Sequence, residues 1–173
     1  MAEFSRNIWA PWRMEYIGSI DDHNANGCFL CKYWAQPEND EPNLVLWRSC
    51  GCMVLLNRFP YTSGHMLIAP AEHVGNIEEL PPEILARLML LTRDVVVLLR
   101  DTIKPQGFNI GVNLGKCAGA GLPGHIHMHV VPRWEGDTNF VPVLSGTRVM
   151  PQALTELYKA AKQAAPRLGL PTA

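Results

Sequence analysis

Five short β-patterned runs, one long amphipathic helix between the third and fourth of them, and the lack of any interdomain linker predict an α+β fold. It is a single domain on a five-stranded, mostly antiparallel sheet, with one long helix and a C-terminal helix. A chain of 173 residues buries roughly two-thirds of the surface its unfolded form exposes, so it needs no disulfide framework to fold.

Residues 1–27 carry Trp9, Pro11, Trp12 and Tyr16 without periodicity. They read as an extended arm packed onto the body or onto a partner subunit, ahead of one domain over 28–173. Gln36 to Asn43 is a polar loop. Leu44–Arg48 and Cys52–Asn57 are apolar runs separated by Ser49-Cys50-Gly51, the pattern of a β-hairpin. The loop Phe59 to Gly64 leads into a third strand, His65–Ala69. Pro82 suits the first position of a helix, where its missing N–H costs nothing. Ile84, Leu88, Leu91, Val95 and Leu98 then recur at steps of three and four, with Arg87, Arg93, Asp94, Arg100 and Asp101 around the other side. Pro105 requires the helix to stop before it. Phe108–Asn113 reads as a fourth strand, Gly115–Gly124 as a Gly-rich loop, and His125–Val131 as a fifth strand ended by Pro132. A last helix is predicted from about Pro151 to Ala164, with Leu154, Leu157, Tyr158 and Ala161 on one face.

Hydrophobic residues are 47% of the chain and charged residues 18%, which excludes a disordered polymer. Lys plus Arg number 15 against 16 Asp plus Glu, a net charge of −1. No sequence-wide basic field exists to hold long nucleic acid by counterion release, although a small phosphorylated ligand held by local geometry fits. Met1 to Arg13 has no apolar core of the signal-peptide kind. Leu88 to Leu99 is too short and too polar to cross a bilayer. A cytoplasmic protein with no membrane partner is the expectation.

Cys28 and Cys31 form a C-x-x-C pair after Gly27, a spacing that points two thiolates at one ion. Two buried thiols without a ligand fit the same spacing. A thioredoxin-like pair lacks its βαβ unit, and a zinc finger fails because no histidine follows at finger spacing. Any further metal ligands must come from distant sequence. Cys50 and Cys52 flank Gly51, and Cys117 stands alone.

The most informative stretch is Gly124-His125-Ile126-His127-Met128-His129-Val130-Val131. Side chains alternate along a strand, so the three histidines share one face, and Ile126, Met128 and Val130 share the other. Solvent-exposed histidines on an edge strand are one reading; a pair of them chelating a metal is another. Same-face neighbours lie about 6.5–7 Å apart, too far for three from one straight strand to reach a single ion. The preceding loop holds four glycines, Lys116 and no acid, a composition suited to backbone N–H groups cradling phosphate. Phosphate beside imidazole suggests nucleophilic catalysis through a phosphohistidine-type adduct.

This stretch matches the histidine triad motif in full, and the chain resembles the histidine triad (HIT) superfamily of nucleotide hydrolases and transferases from about Cys28 to Asn139. Leu56 to Pro70, with Asn57, Gly64 and His65, belongs to the same resemblance. So do Ile8-Trp9-Ala10-Pro11-Trp12-Arg13 and Val131-Pro132-Arg133-Trp134, which look like a bacterial branch that includes diadenosine tetraphosphate phosphorylases and is related to the fragile histidine triad hydrolases. The resemblance implies a HIT-like fold and cleavage of adenosine polyphosphates at the α-phosphate. His127 would be the nucleophile, His129 would contact the α-phosphate oxygens and support departure of the leaving group, and His125 would steady the site. It also implies a structural zinc held by Cys28, Cys31, His73 and His125. Asn57 would bind the ribose, Asn113 would reach the phosphates, and Leu44, Leu56 and Phe59 would touch the base. His65 is placed for the triad's hydrogen-bond network or for a structural role. Many members carry Gln-Ser or Gln-Thr where this chain has Gly121-Leu122. Phosphate binding then rests on loop N–H groups, at Gly119 and Gly121, and on Lys116. A homodimer joining two sheets, with the N-terminal arm as a clasp, is the implied assembly. A nucleoside phosphoramidate or ADP-type hydrolase, and a nucleotide-binding signalling module with slow turnover, are the alternatives.

Overall fold

A computed structural model of the protein describes residues 27–137 and 153–171. All but the last residue of the predicted N-terminal arm lies outside the described residues, as do positions 151–152 at the start of the predicted last helix. The elements in order are α1 (Phe29–Ala35), β1 (Val45–Ser49), β2 (Cys52–Leu56), β3 (Met66–Pro70), α2 (Pro82–Thr102), β4 (Gly107–Val112), β5 (Met128–Arg133) and α3 (Leu154–Arg167). The strands form one sheet in the order β1-β2-β3-β5-β4, and every neighbouring pair is antiparallel.

The hairpin between β1 and β2 turns on Cys50 and Gly51, with φ of 47° and 76°. Two consecutive left-handed residues make the turn whose twist matches that of the flanking strands. Alternation along β2 and β3 then sorts their side chains. Cys52, Val54, Leu56, Met66 and Ile68 enter a core shared with α2 and α3. Met53, Leu55, Leu67 and Ala69 enter a smaller core under Leu30 of α1. A register shift between Val45 and Trp47 breaks the alternation in β1, so Leu46 and Trp47 both enter the helix-side core.

Helix α2 begins with Pro82 at its first turn and buries Leu88, Leu91, Val95 and Leu98, the predicted stripe, with Thr92 and Leu99 beside it. It ends at Thr102, ahead of Pro105. Helix α3 ends three residues later than predicted, at Arg167, and buries Ala164 and Ala165 as well as Leu157, Tyr158 and Ala161. Tyr158 Oη donates to the Val45 carbonyl at 3.1 Å and Lys162 Nζ to the Leu46 carbonyl at 3.0 Å. The edge strand β1 is thereby covered by α3, while β4 forms the other edge of the sheet.

Two differences from the sequence reading bear on the site. Cys28 and Cys31 belong to α1, a helix the apolar pattern does not announce. Cys28 is its N-cap, and its Sγ accepts from the Cys31 N–H at 3.4 Å. The fifth strand starts at Met128 rather than His125 and continues past Pro132 to Arg133. Beyond Val130 it is paired only with β4, where proline is tolerated.

Candidate functional site

His125, His127 and His129 lie on the α1 side of the sheet, as the alternation predicts. Ile126, Met128 and Val130 are buried in the core on the α2 side. The segment ahead of β5 is irregular because its polar groups bond elsewhere. The Ile126 N–H donates to the Val74 carbonyl at 2.7 Å, and the His125 carbonyl accepts from His127 Nδ1 at 2.8 Å. The three rings consequently go to two different clusters.

His125 is fully buried. Its Nε2 lies 2.9 Å from the Pro70 carbonyl, which can only accept, so that nitrogen carries the proton. Its Nδ1 lone pair then faces Cys28 Sγ at 3.2 Å and Cys31 Sγ at 3.4 Å. His73 Nδ1 lies 3.2 Å from Cys31 Sγ. The four ligand atoms of Cys28, Cys31, His73 and His125 all lie within 4.8 Å of one another. A tetrahedral zinc with ordinary bond lengths spaces sulfur from nitrogen by about 3.6 Å, so this donor set fits such an ion with small adjustments. Burial, then the neighbouring Cys28, pushes the Cys31 thiol up to about 11; a divalent cation relieves that penalty because it favours thiolate. Gly75 lets the His73 segment press against the Gly-rich loop, since a Cβ there would sit 2.8 Å from the Pro123 carbonyl oxygen.

His127 and His129 meet edge to face with ring centroids 4.8 Å apart. Since His127 Nδ1 donates to a carbonyl, the lone pair of the neutral ring is on Nε2. Burial holds His127 below the usual histidine range. Burial, then the proximity of His127, lowers His129 to about 4. Both rings are therefore neutral at physiological pH. His129 Nδ1 lies 2.9 Å from Nε2 of the fully buried His65, and His129 Nε2 is buried with no partner among the described residues. Tyr61 lies over this pair, its ring 4.6 Å from His65 and 6.0 Å from His129. The sequence offered His65 both a network and a structural role; its ring bonds directly to the third histidine of the motif.

The other candidates are placed as follows. Asn57, half-buried just after β2, donates through Nδ2 to His65 Nδ1 at 3.2 Å and accepts the Phe59 N–H on Oδ1 at 2.9 Å. Asn113 Nδ2 donates to the Gly119 carbonyl at 3.3 Å, shaping the Gly-rich loop. The N–H groups of Ala118, Gly119 and Ala120 close onto the carbonyls of Gly115 and Lys116, around a short turn at Lys116–Ala118. Lys116 and Gly121 are exposed. Leu44 and Leu56 are buried in the helix-side core, away from the histidine face, while Phe59 is 80% exposed. Among the described residues, no helix is long and apolar enough to cross a membrane.

Residues 38–136 match the family model described as HIT domain. The chain is 36% identical over 155 residues to a protein named AP-4-A phosphorylase from Mycobacterium tuberculosis, covering 87% of this chain and 80% of that one. It is 33% identical over 115 residues to adenylylsulfatase HINT3 of Arabidopsis thaliana, covering 65% and 55% respectively. Among solved structures, a Zn-bound histidine triad family protein from Mycobacterium smegmatis superposes with a TM-score of 0.67 at 28% identity, covering 84% of this chain and 98% of that one.

Proposed function

The chain belongs to the HIT domain family, and from that premise we propose that it is a nucleotidyl hydrolase or transferase that cleaves adenosine polyphosphates of the diadenosine tetraphosphate type. The observation that carries the mechanism is the pairing of a lone pair with a donor. His127 is anchored through Nδ1–H, so its Nε2 lone pair is the nucleophile, and its ring meets edge to face that of His129, whose buried Nε2 has no partner among the described residues.

In the first step His127 Nε2 attacks the α-phosphorus. An N–P bond forms, the bond to the bridging oxygen breaks, and the polyphosphate departs with that electron pair. His129 Nε2–H donates to the α-phosphate oxygens and eases departure of the leaving group; His125 steadies the segment. In the second step water or inorganic phosphate attacks the same phosphorus, the P–N bond breaks, and the lone pair returns to His127. With diadenosine tetraphosphate the first step yields ATP. The second yields AMP from water or ADP from phosphate. The relative named AP-4-A phosphorylase supports this substrate class. The outward Lys116 and the N–H groups of the Gly-rich loop, Gly121 in particular, are the remaining candidates for phosphate contact.

Cys28, Cys31, His73 and His125 would hold a structural zinc, and the Zn-bound relative supports it. Such an ion, ligated by four protein groups, would supply a brace rather than an open coordination position. A homodimer is supported by the contrast between the edges of the sheet. β1 is covered by α3, whereas β4 is an edge strand with Asn109, Ile110 and Gly111 exposed. Ile110→Lys is expected to yield monomers by light scattering.

The deciding experiment incubates the protein with diadenosine tetraphosphate, with and without inorganic phosphate. ATP plus ADP appearing only with phosphate assigns a phosphorylase, and ATP plus AMP assigns a hydrolase. Faster turnover of an adenosine phosphoramidate than of any dinucleotide would overturn the substrate assignment, and full activity in His127→Asn would overturn the mechanism.

A further inference from the structure

Tyr61 reaches the histidine cluster twice, once through its backbone and once through its ring. Its N–H donates to His65 Nδ1 at 3.1 Å. A backbone N–H can only donate, so that nitrogen is an acceptor, and neutral His65 carries its proton on Nε2. His65 then donates to His129 Nδ1 at 2.9 Å. The proton of neutral His129 is left on Nε2, the buried atom with no partner among the described residues. The Tyr61 ring covers the same two residues. Its centroid lies 4.6 Å from that of His65 with the planes 35° apart, and 6.0 Å from that of His129 with the planes 19° apart. Tyr61 is 41% exposed, whereas His129 is half-buried and His65 fully buried, so the ring stands between the pair and solvent. Its neighbours are fastened: Thr62 Oγ1 donates to the Pro132 carbonyl at 2.8 Å, and the His65 N–H donates to the Thr62 carbonyl at 3.2 Å.

We propose that Tyr61 is a positioning residue whose ring keeps water from the His65–His129 hydrogen bond, so that His129 meets the phosphate as a neutral ring with one donor, Nε2–H. A water-accessible His129 would take a second proton, on Nδ1, near pH ~6.5. That proton would face the His65 Nε2–H, donor against donor, and the bond that orients the ring would be lost. An aromatic face over the bond disfavours the charged form and strengthens the bond itself. The groups facing His129 are His65, His127 and Tyr61, and none of the three carries a carboxylate that would hold an imidazolium. This deepens the functional reading above: the use of the neutral donor rests on that reading, whereas the shield itself does not.

NMR of the histidine rings, with no nucleotide present, reads the pH midpoint at which His129 takes up its second proton. Tyr61→Phe keeps the aromatic face and is expected to keep the wild-type midpoint of about 4. Tyr61→Ala is expected to raise the midpoint by about one pH unit or more, toward ~6.5. Tyr61→Val, a smaller apolar cover, is expected to fall between them. All three variants keep the backbone donor to His65. The acid limb of kcat/KM for diadenosine tetraphosphate is expected to move up with the midpoint. A midpoint unchanged in both Tyr61→Ala and Tyr61→Val overturns the proposal. So does a midpoint that moves as far in Tyr61→Phe as in Tyr61→Ala, which would assign the effect to the hydroxyl rather than the ring. If the wild type turns over no adenosine nucleotide, the functional reading fails, and the midpoints still decide whether Tyr61 is the shield.

Discussion

The cluster around His125 and the cluster around His129 are built from the same short segment, yet they are finished differently. At the first, both ring nitrogens of His125 are engaged, one by the Pro70 carbonyl and the other by two sulfurs. At the second, the chain of donors from Asn57 through His65 stops at a buried N–H with no partner among the described residues. Thiol and imidazole at close range are the ligands of a soft cation. An orphaned donor beside an anchored imidazole lone pair is the start of chemistry on an anion. The contrast teaches that one side of the segment is a brace and the other a workplace, and His127 stands between them with its Nδ1 tied to the backbone of the braced residue.

The contrast breaks most sharply at His127. His127→Asn removes the lone pair while His125 and its cluster keep their bonds, so turnover of diadenosine tetraphosphate should fall at least ~10⁴-fold with little change in melting temperature. Steady-state kinetics beside a thermal melt check both halves. A melt that falls as far as the activity would make His127 part of the brace instead.

The next effect belongs to His129. His129→Phe keeps a ring against Tyr61 and His65 but removes the donor, and loss of one preorganised donor at a developing charge costs about 10²–10³ in kcat. A loss confined to KM would place His129 in ground-state binding only.

On the braced side the order of effects inverts. Purified protein is expected to carry about one zinc per chain, and Cys31→Ala to lower that content on metal analysis. Melting temperature should then fall by roughly 5 °C or more, with activity reduced only about ten- to a hundredfold through disturbed orientation of His125. A metal-free wild type of equal stability would remove the distinction between the two clusters.

How far the sequence reaches follows the same divide. The face shared by the three histidines is legible from alternation alone, since Ile126, Met128 and Val130 must go to the core. The hairpin and α2 are equally legible, because turn chemistry and the three-four stripe are local. What joins the clusters is not local. His125 meets Cys28 and Cys31 across 97 and 94 residues, and His129 meets His65 across 64. No periodicity encodes such contacts, and the ligand set was readable only through family resemblance. Helix α1 is hidden because its N-cap is a cysteine, outside the usual Ser, Thr, Asp and Asn signals. Leu44 and Leu56 point away from the histidines; for Leu56 this is the simple alternation of β2. Asn57 reads as a residue at the end of a strand, and its partner becomes visible only when the loop over 59–64 brings Tyr61 and His65 back onto it.

The smallest effect is the dependence of stability on pH that His129 contributes. His129 is held at about 4, chiefly by burial and then by His127, below its unfolded value near 6.5. His65 and His127 face it, and Tyr61 stacks over it. The folded state therefore prefers the neutral ring, and the unfolded chain takes up the proton first as pH falls. The contribution is fully present above pH ~6.5 and is lost as the pH drops toward ~4, at no more than about 1.4 kcal/mol per pH unit in that window. In His129→Phe the group is absent, so the difference in unfolding free energy between wild type and variant should shrink with that slope on acidification. Denaturant melts at several pH values in this window measure it. A difference independent of pH would mean that His129 takes up its proton at the same pH in the folded and the unfolded chain, and burial would then not be what keeps the ring neutral.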